Sequence, residues 1–241
     1  ADFWRSRLHA DEGRELKNFP SYGNGLAVAT QHDILIHIQS LSVMTNFALI
    51  QSVLAAFGDS VRIVSEEYGY RLNESRGIDG FVDGTENPHH LSDIQRVGTI
   101  ADDNPDAGGS YIVVQKYQFD MRQWQAFSTP QQEESIGRSK ADNLEFPREK
   151  RHTRAHLSRV NLKENGVGLK IVRRSLPYGK VTGECGLMFC AYCHRLYNIE
   201  KQLQTMFGDI DGKTDFLLER LSKPLSGAYY FAPCIERLHH L

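Results

Sequence analysis

The order of strand and helix patterns in the second half of the chain restricts its possible folds more than any other feature. The predicted elements are a strand at 111–117, a helix at 129–136, strands at about 156–161, 168–173 and 185–192, a helix at 197–207 and a strand at 227–232. The strands are rich in β-branched and aromatic residues, and Ile199, Leu203 and Met206 recur at helical spacing. In simplified form this order is β-α-β-β-α-β, which predicts helices packed on an antiparallel sheet.

The first half of the chain contains only part of the same order. Residues 33–38 alternate isoleucine with other residues and predict a strand. Residues 42–57 predict a helix, and residues 61–64 predict a second strand. We therefore expect this half to contain the closing β-α-β of the pattern and to lack the first strand, helix and strand.

These patterns predict an α+β fold with antiparallel sheets, in which the second half follows the ferredoxin-like order and the first half follows its closing part. Residues 1–109 form the predicted N-terminal domain, which is incomplete at its start. Residues 110–241 form the predicted C-terminal domain. The connection at 69–109 is rich in Gly, Asp, Asn and Pro, and a connection of this length in a compact domain is usually functional or disordered.

An acidic residue between two glycines lies inside that connection. The stretch is Gly-Phe-Val-Asp-Gly-Thr-Glu-Asn-Pro, from Gly80 to Pro88, with Asp83 at its centre. Glycine adopts backbone angles that other residues avoid and allows a ligand to approach the backbone closely. Taken alone, the stretch is more typical of an ordinary Asp-Gly turn than of a site.

The charge and cysteine content exclude several classes of partner. The chain has 28 Lys and Arg against 30 Asp and Glu, a net charge of −2, which gives no general attraction to nucleic acid or to anionic membranes. No apolar run approaches the roughly 18 residues that a membrane helix needs. Four cysteines in such a chain are more typical of reduced thiols than of a disulfide framework. We expect a cytoplasmic protein that binds neither nucleic acid nor membrane.

The segment Cys190-Ala191-Tyr192-Cys193-His194 matches the attachment signature of c-type haem. It lies within an apolar strand pattern rather than in an accessible loop, which argues against covalent attachment. A zinc site would need a second Cys/His pair at suitable spacing, and none is evident. Buried free thiols are the better interpretation of Cys190 and Cys193.

Two pairs of basic residues stand out in or beside the predicted strands. His152 and His156 flank the start of one strand, where a histidine is more often structural than a ligand. Arg173 and Arg174 occur in another strand, and an arginine on its inward side would be an unpaired buried cation unless an anion met it. An inward arginine, an inward histidine and a loop carboxylate together indicate a polar site.

Taken together, these segments resemble the dye-decolourising peroxidases, most closely their bacterial type B branch. The matching segments, in chain order, are Gly80–Gly84 with its extension to Pro88, Ile136–Lys140, Ala155–Arg159, Ile171–Gly179, Gly186–Phe189 and Gly208–Asp215. Each segment alone is a weak signal, but six of them occur in the family's order over about residues 30–235.

The resemblance implies two ferredoxin-like domains with antiparallel sheets, of the dimeric α+β barrel type, and a C-terminal domain that holds haem b. His156 would be the axial ligand of the iron, and its other ring nitrogen would bond to Asp215, which fixes the imidazole tautomer. Asp83 and Arg173 would lie on the peroxide side, with Ser175 near them. Further cofactor contacts implied by the family are Arg138 at a haem propionate, Leu187 and Phe189 as apolar walls, and Gly84 and Thr85 close to the haem face.

The implied function is a peroxidase that uses hydrogen peroxide to oxidise dyes, phenols or other small reductants in one-electron steps. Asp83 would move a proton and Arg173 would stabilise negative charge as the O–O bond breaks. A homo-oligomer is also implied, whereas an encapsulating compartment is not indicated. Two alternatives stay open: a haem-binding or haem-handling protein with incidental peroxidase activity, and a ferredoxin-like interaction domain without a cofactor.

Overall fold

The computed structural model describes residues 13–239. The chain divides into two compact units, of which the smaller is His32–Tyr68 and the larger contains the rest. In the smaller unit, helix α1 (Val43–Phe57) begins where Ser42 Oγ accepts a hydrogen bond from the Thr45 amide at 3.3 Å. The helix ends at Gly58, whose φ of 53° favours glycine. The predicted helix is therefore confirmed.

The strands predicted at 33–38 and 61–64 are wrong for the structure as described. Both segments are irregular, and no strand ladder involves residues 32–68 within the described part of the chain. Alternating apolar residues favour an extended backbone, but a strand also needs a neighbouring strand for its N–H and C=O groups. Sequence alternation reports only the first of these two requirements.

The larger unit contains the remaining helices and strands. In chain order these are α2 (Leu91–Gly98), β1 (Ser110–Phe119), α3 (Met121–Ala126), α4 (Thr129–Ile136), α5 (His156–Val160), β2 (Lys163–Glu164), β3 (Val167–Gly168), β4 (Val172–Arg173), β5 (Leu176–Gly179), β6 (Cys185–Cys193), α6 (Leu196–Met206), α7 (Leu217–Arg220), β7 (Ser222–Pro224), β8 (Ala228–Ala232) and α8 (Ile235–Leu238).

An antiparallel sheet forms the centre of this unit. Strand β1 pairs with β6 on one side and with β7 and β8 on the other, and β4 and β5 extend the sheet beyond β6. Val113 lies opposite Ala191 of β6 and Tyr229 of β8, so the register places three buried residues side by side. The α+β class with an antiparallel sheet is therefore confirmed, while the division into domains at residues 109 and 110 stays a prediction.

Helix α6 packs on this sheet and completes the main core. Leu196, Ile199 and Leu203 are spaced three and four residues apart and are at most 3% exposed. They join the sheet residues in one apolar cluster. The predicted helix at 197–207 is thus confirmed within one residue at each end.

The segment predicted as a strand at 156–161 is a short helix. Helix α5 follows Ala155, which is buried, and the Ser158 and Arg159 amides both bond to the Ala155 carbonyl. Leu157 and Val160 are three residues apart, a spacing that fits one helical turn as well as it fits an imperfect strand. Periodicity cannot distinguish the two over five residues, and packing on α6 selects the helix.

Several elements were absent from the prediction, namely α2, β2, β5, β7 and α8. Helix α2 lies inside the connection at 69–109, where Leu91, Ile94 and Val97 recur at helical spacing but the surrounding Gly, Asp, Asn and Pro favoured a loop. Strand β7 contains Pro224, and proline within a short run argues against a strand except at a sheet edge. No helix among the described residues is long and apolar enough to span a bilayer.

Replacement of Gly186 by alanine should destabilise the protein. An added Cβ would lie 1.8 Å from the Tyr117 carbonyl oxygen on the paired strand, so β6 could not keep its distance from β1. We expect a loss of about 2–3 kcal/mol in the free energy of unfolding, typical of overpacking. Gly183→Ala is the matched control, because its added Cβ would make an ordinary 3.7 Å contact with Lys180. Equal denaturation midpoints for the two variants would contradict the expectation.

Candidate functional site

One large cavity opens in the larger unit. Its empty space, including the open mouth, is about 1610 Å³. Apolar side chains form most of its wall, among them Phe81, Phe119, Ile136, Leu157, Val160, Ile171, Leu187, Phe189, Leu203, Met206 and Leu221. The charged and titratable lining residues are Asp79, Asp83, Glu86, Arg138, His156, Lys170 and Arg173. A mostly apolar cavity with a few converging polar groups is typical of a ligand site.

His156 is the first residue of α5 and lines this cavity. Its Nδ1 donates to Asp215 Oδ2 at 2.6 Å, and its side chain keeps 27% of its surface exposed. Asp215 is completely buried, and its other oxygen accepts the Leu217 amide at 2.9 Å. The hydrogen bond with Asp215 therefore orients the imidazole and leaves Nε2 as the nitrogen that can bind a metal.

Helix α5 is fixed at its other end by Arg159. The guanidinium donates to the Thr205 carbonyl at 2.9 Å and pairs with Asp211 at 2.6 Å. Arg159 holds the pKa of Asp211 down, to about 2, through this hydrogen-bonded pair. Because α5 has little more than one turn, these bonds to α6 and the loop after it support the position of His156.

Asp83 and Arg173 lie on the wall of the same cavity. Arg173 Nη1 is 3.5 Å from Asp83 Oδ1, and that oxygen also accepts the Gly84 amide at 2.7 Å. Gly84 has a φ of 85°, a conformation that glycine adopts without strain. The glycine after Asp83 thus allows the turn in which its own amide bonds the carboxylate.

Asn87 connects the loop of Asp83 to the strand of Arg173. Its side-chain amide donates to the Arg173 carbonyl at 3.0 Å, and its side-chain oxygen accepts the Arg173 amide at 2.8 Å. The side chain therefore replaces a strand partner for β4 at this residue. The Asn-Pro end of the loop motif pointed to this position, but sequence reasoning gave Asn87 no role.

Arg138 lies beneath the loop and is mostly buried. Its guanidinium pairs with Glu86 at 2.7 Å and donates to the Asn143 carbonyl at 2.8 Å. Lys170 also pairs with Glu86, at 3.1 Å, and Thr85 accepts the Asn143 side-chain amide at 2.9 Å. Arg138 and Thr85 are thus in the cavity wall, as the resemblance implied, within one polar network.

The other implied residues divide into two groups. Leu187 and Phe189 of β6 line the cavity. Gly84 and Ser175 are not among its described lining residues, and Ser175 Oγ accepts the Cys190 amide at 3.1 Å. The structure therefore places Ser175 against the sheet, and its role on the peroxide side stays a prediction.

Asp79 is a second acidic residue of the loop that sequence reasoning missed. It lines the cavity, and its Oδ1 accepts the Phe81 amide at 3.1 Å. Removal from water among the cavity walls raises the pKa of Asp79 to about 6, and the nearby charge of Asp83 also raises it. The sequence signal was only a second Asp-Gly pair, four residues before Asp83.

Cys190 and Cys193 lie in β6 as free, buried thiols, which confirms the interpretation from sequence. Burial raises the pKa of each thiol to about 11. His194, the third member of that motif, bonds to the Val97 carbonyl through Nδ1 at 2.9 Å. These residues take part in the core and in a backbone contact.

Comparison with known proteins identifies the family. The description "Dyp-type peroxidase, N-terminal" matches residues 1–71, and "Dyp-type peroxidase, C-terminal" matches residues 74–237. A dye-decolorizing peroxidase of Mycobacterium tuberculosis is 37% identical over 217 residues, which are 89% of this chain and 64% of that protein. The chain thus spans less than two thirds of the length of this relative.

Solved structures agree with this result. A dye-decolorizing protein from Vibrio cholerae is 40% identical, with a TM-score of 0.88 over 99% of this chain and 78% of that one. A DypB variant from Rhodococcus jostii in complex with heme is 31% identical, with a TM-score of 0.91 over 99% of this chain and 78% of that one. On sequence and structure alike, the chain belongs to the Dyp-type peroxidase family.

Proposed function

We propose that this protein binds haem b in the cavity and is a peroxidase that oxidises small reductants with hydrogen peroxide. One observation carries the proposal: His156, whose Nδ1 bonds to the buried Asp215, lines the same cavity as Asp83 and Arg173. The first pair suits an axial iron ligand, and the second suits proton transfer and charge stabilisation next to it. The family and its haem-bound structural relative support the same cofactor.

The cavity residues fit haem in chemical character. The apolar walls suit the faces of a porphyrin, and Arg138 and Lys170 supply positive charge for its two propionates. Gln115 also lines the cavity, and its buried Nε2 has no hydrogen-bond partner among residues 13–239. A buried donor of this kind indicates space for a ligand that carries an acceptor. His156 supplies the nitrogen ligand that iron requires.

Bound haem supplies the iron that accepts hydrogen peroxide and the oxidising capacity that reductants then consume. His156 Nε2 would hold the iron, while Asp215 accepts the hydrogen bond from Nδ1, fixes the tautomer and would make the imidazole more electron-donating. The alternative ring orientation would leave the buried Asp215 Oδ2 without its donor, and only the Leu217 amide would still bond to the carboxylate, which is costly. Asp215 therefore sets both the direction and the basicity of the ligand.

Asp83 moves the proton. Its Oδ1 is occupied by the Gly84 amide and faces Arg173, so Oδ2 accepts a proton from one oxygen of hydrogen peroxide. The same Oδ2 returns this proton to the outer oxygen, which leaves as water. The Arg173 guanidinium stabilises the negative charge that develops while the O–O bond breaks. Two reductant molecules then give one electron and one proton each, and the second peroxide oxygen also leaves as water.

The cellular setting is part of the proposal. The four free cysteines support a reducing compartment, consistent with a cytoplasmic protein. A homo-oligomer is supported by the family resemblance, and chromatography of the full chain over a range of concentrations would measure it. Dyes and phenols are the proposed reductants. The proposed roles of Ser175, Gly84 and Thr85 rest on the resemblance alone.

Loss of His156 should abolish the axial bond. We expect His156→Ala to weaken haem binding by more than the roughly 10- to 100-fold that loss of an outer hydrogen-bond partner costs, and to remove the absorption spectrum of nitrogen-ligated haem. His152→Ala is the control, because His152 packs on Phe216 outside the described cavity wall. An unchanged spectrum in His156→Ala would refute the ligand assignment.

Asp83→Asn should separate haem binding from catalysis. The substitution keeps the shape of the side chain but removes proton transfer, so peroxide turnover should fall by a factor of about 100 or more. Haem affinity should change little. Asp93→Asn, on exposed helix α2, is the control that should keep full turnover. Wild-type turnover in Asp83→Asn would favour a haem-binding protein with incidental peroxidase activity.

Asn87→Ala should loosen Arg173 without touching the haem ligand. Two hydrogen bonds to the Arg173 backbone are lost, which should cost about 1–3 kcal/mol in stability and speed hydrogen exchange at the Arg173 amide. Turnover should fall while haem affinity is kept. In Asn104→Ala, which loses a comparable loop contact to the Asp106 amide, exchange at Arg173 should stay slow. Equal exchange in both variants would contradict the positioning role of Asn87.

A further inference from the structure

Asp79 is a cavity carboxylate that the proposed mechanism does not use. Its backbone is held in place, since Trp124 Nε1 donates to the Asp79 carbonyl at 3.0 Å and the Phe81 amide bonds its side chain at 3.1 Å. The Asp79 side chain lines the same cavity as His156 and Asp83. Any group that fills the cavity therefore changes the surroundings of this carboxylate.

The charges of the cavity wall are paired except at Asp79. Arg138 and Lys170 both pair with Glu86, at 2.7 and 3.1 Å, and Arg173 faces Asp83 at 3.5 Å. Asp79 has no ion pair within the described part of the chain. The cavity thus contains one ionisable carboxylate whose charge no lining Lys or Arg neutralises.

The groups around Asp79 act on its charge in opposite directions. The Asp83 carboxylate, on the same loop, disfavours ionisation, whereas Lys140 after α4 and His156 on α5 favour it. Lys140 keeps its charge, since its Nζ donates to the neutral Gln132 Oε1 at 2.7 Å, but among the described residues it forms no ion pair with Asp79. Loss of water is the largest influence and raises the pKa of Asp79 to about 6. The group is therefore poised to take up a proton near neutral pH.

Bound haem would favour the protonated form of Asp79. Its apolar ring removes water from the cavity, and its two propionates add negative charge, so both effects disfavour an ionised neighbour. We propose that the cavity takes up one proton on Asp79 when it binds haem, which links haem affinity to pH. This inference rests on the proposed function, because it concerns the same cofactor in the same cavity.

The protonation state of Asp79 determines how haem affinity should depend on pH. Binding favours the protonated form of Asp79, so affinity is highest below about pH 6, the pKa in the free protein. Affinity then falls by about tenfold for each pH unit up to the higher pKa of the complex, and is level again above it. If Asp79 stayed ionised in both the free protein and the haem complex, it would make no contribution to the dependence of affinity on pH.

Iron-free protoporphyrin IX is the suitable probe, because it carries the ring and both propionates but makes no bond to His156. Its binding to the haem-free full chain would be followed by quenching of tryptophan fluorescence from about pH 5 to about pH 8. We expect the wild-type affinity to fall over this range. Asp79→Asn keeps the bond to the Phe81 amide and cannot ionise, so its affinity should stay at the wild-type low-pH level throughout.

Two further variants sharpen the test. Asp83→Asn removes a charge that raises the pKa of Asp79, so the fall in affinity should move to lower pH. Asp93→Asn changes a partly exposed carboxylate outside the described cavity wall, paired with Arg96 at 2.7 Å, and should reproduce the wild-type curve. Thermal unfolding of each variant would verify that it is folded under the conditions of the titration.

Each outcome bears on the proposal. The proposal is supported if porphyrin affinity falls with pH in the wild type and this fall disappears only in Asp79→Asn. A wild-type slope that persists in Asp79→Asn, or a wild-type affinity independent of pH, overturns it while the haem peroxidase function stands. If no variant binds the porphyrin at any pH while haem also fails to bind, the proposed function is overturned together with this inference.

Discussion

The hydrogen bond between His156 and the buried carboxylate of Asp215 is the contact on which the rest of the site depends. Asp215 has no exposed surface, and a buried carboxylate is tolerated only when donors surround it. Its oxygens accept from His156 and from the Leu217 amide, and its own amide bonds to the Met206 carbonyl. One residue therefore joins the end of α6, the start of α7 and the imidazole of α5. The ligand direction is fixed by the fold itself.

Backbone hydrogen bonds fix the positions of Asp83 and Arg173, the second pair of groups in the cavity. Asp83 and Arg173 are 90 residues apart in sequence, and their separation is set through backbone bonds rather than through the 3.5 Å ion pair. Asn87 bonds both the amide and the carbonyl of Arg173, while the Asp83 amide bonds to the Ser75 carbonyl. A half-exposed ion pair alone contributes little. The loop can therefore position its carboxylate without relying on the attraction between the two charges.

Sequence patterns predicted the parts of the fold that carry their own signal. The strands β1 and β6 and the helices α1 and α6 are nine or more residues long and have the composition or spacing of their own type, and the structure confirms them. Helix α5 has five residues, too few for periodicity to distinguish a turn of helix from a strand. The segments 33–38 and 61–64 have strand composition, yet pairing is a property of two segments and cannot be read from one. Tertiary contacts decided each of these cases.

The two aspartates of the loop show what sequence could not predict about the site. Asp83 and Asp79 each precede a glycine, and the family resemblance distinguished only the first. The structure gives them opposite surroundings, because Asp83 has a guanidinium and an amide while Asp79 has a single amide and a desolvated wall. Burial without a neighbouring ion pair raises the pKa of Asp79 to about 6, above the usual range of an aspartate. The fold thus gives two aspartates four positions apart different surroundings, which their shared Asp-Gly sequence does not distinguish.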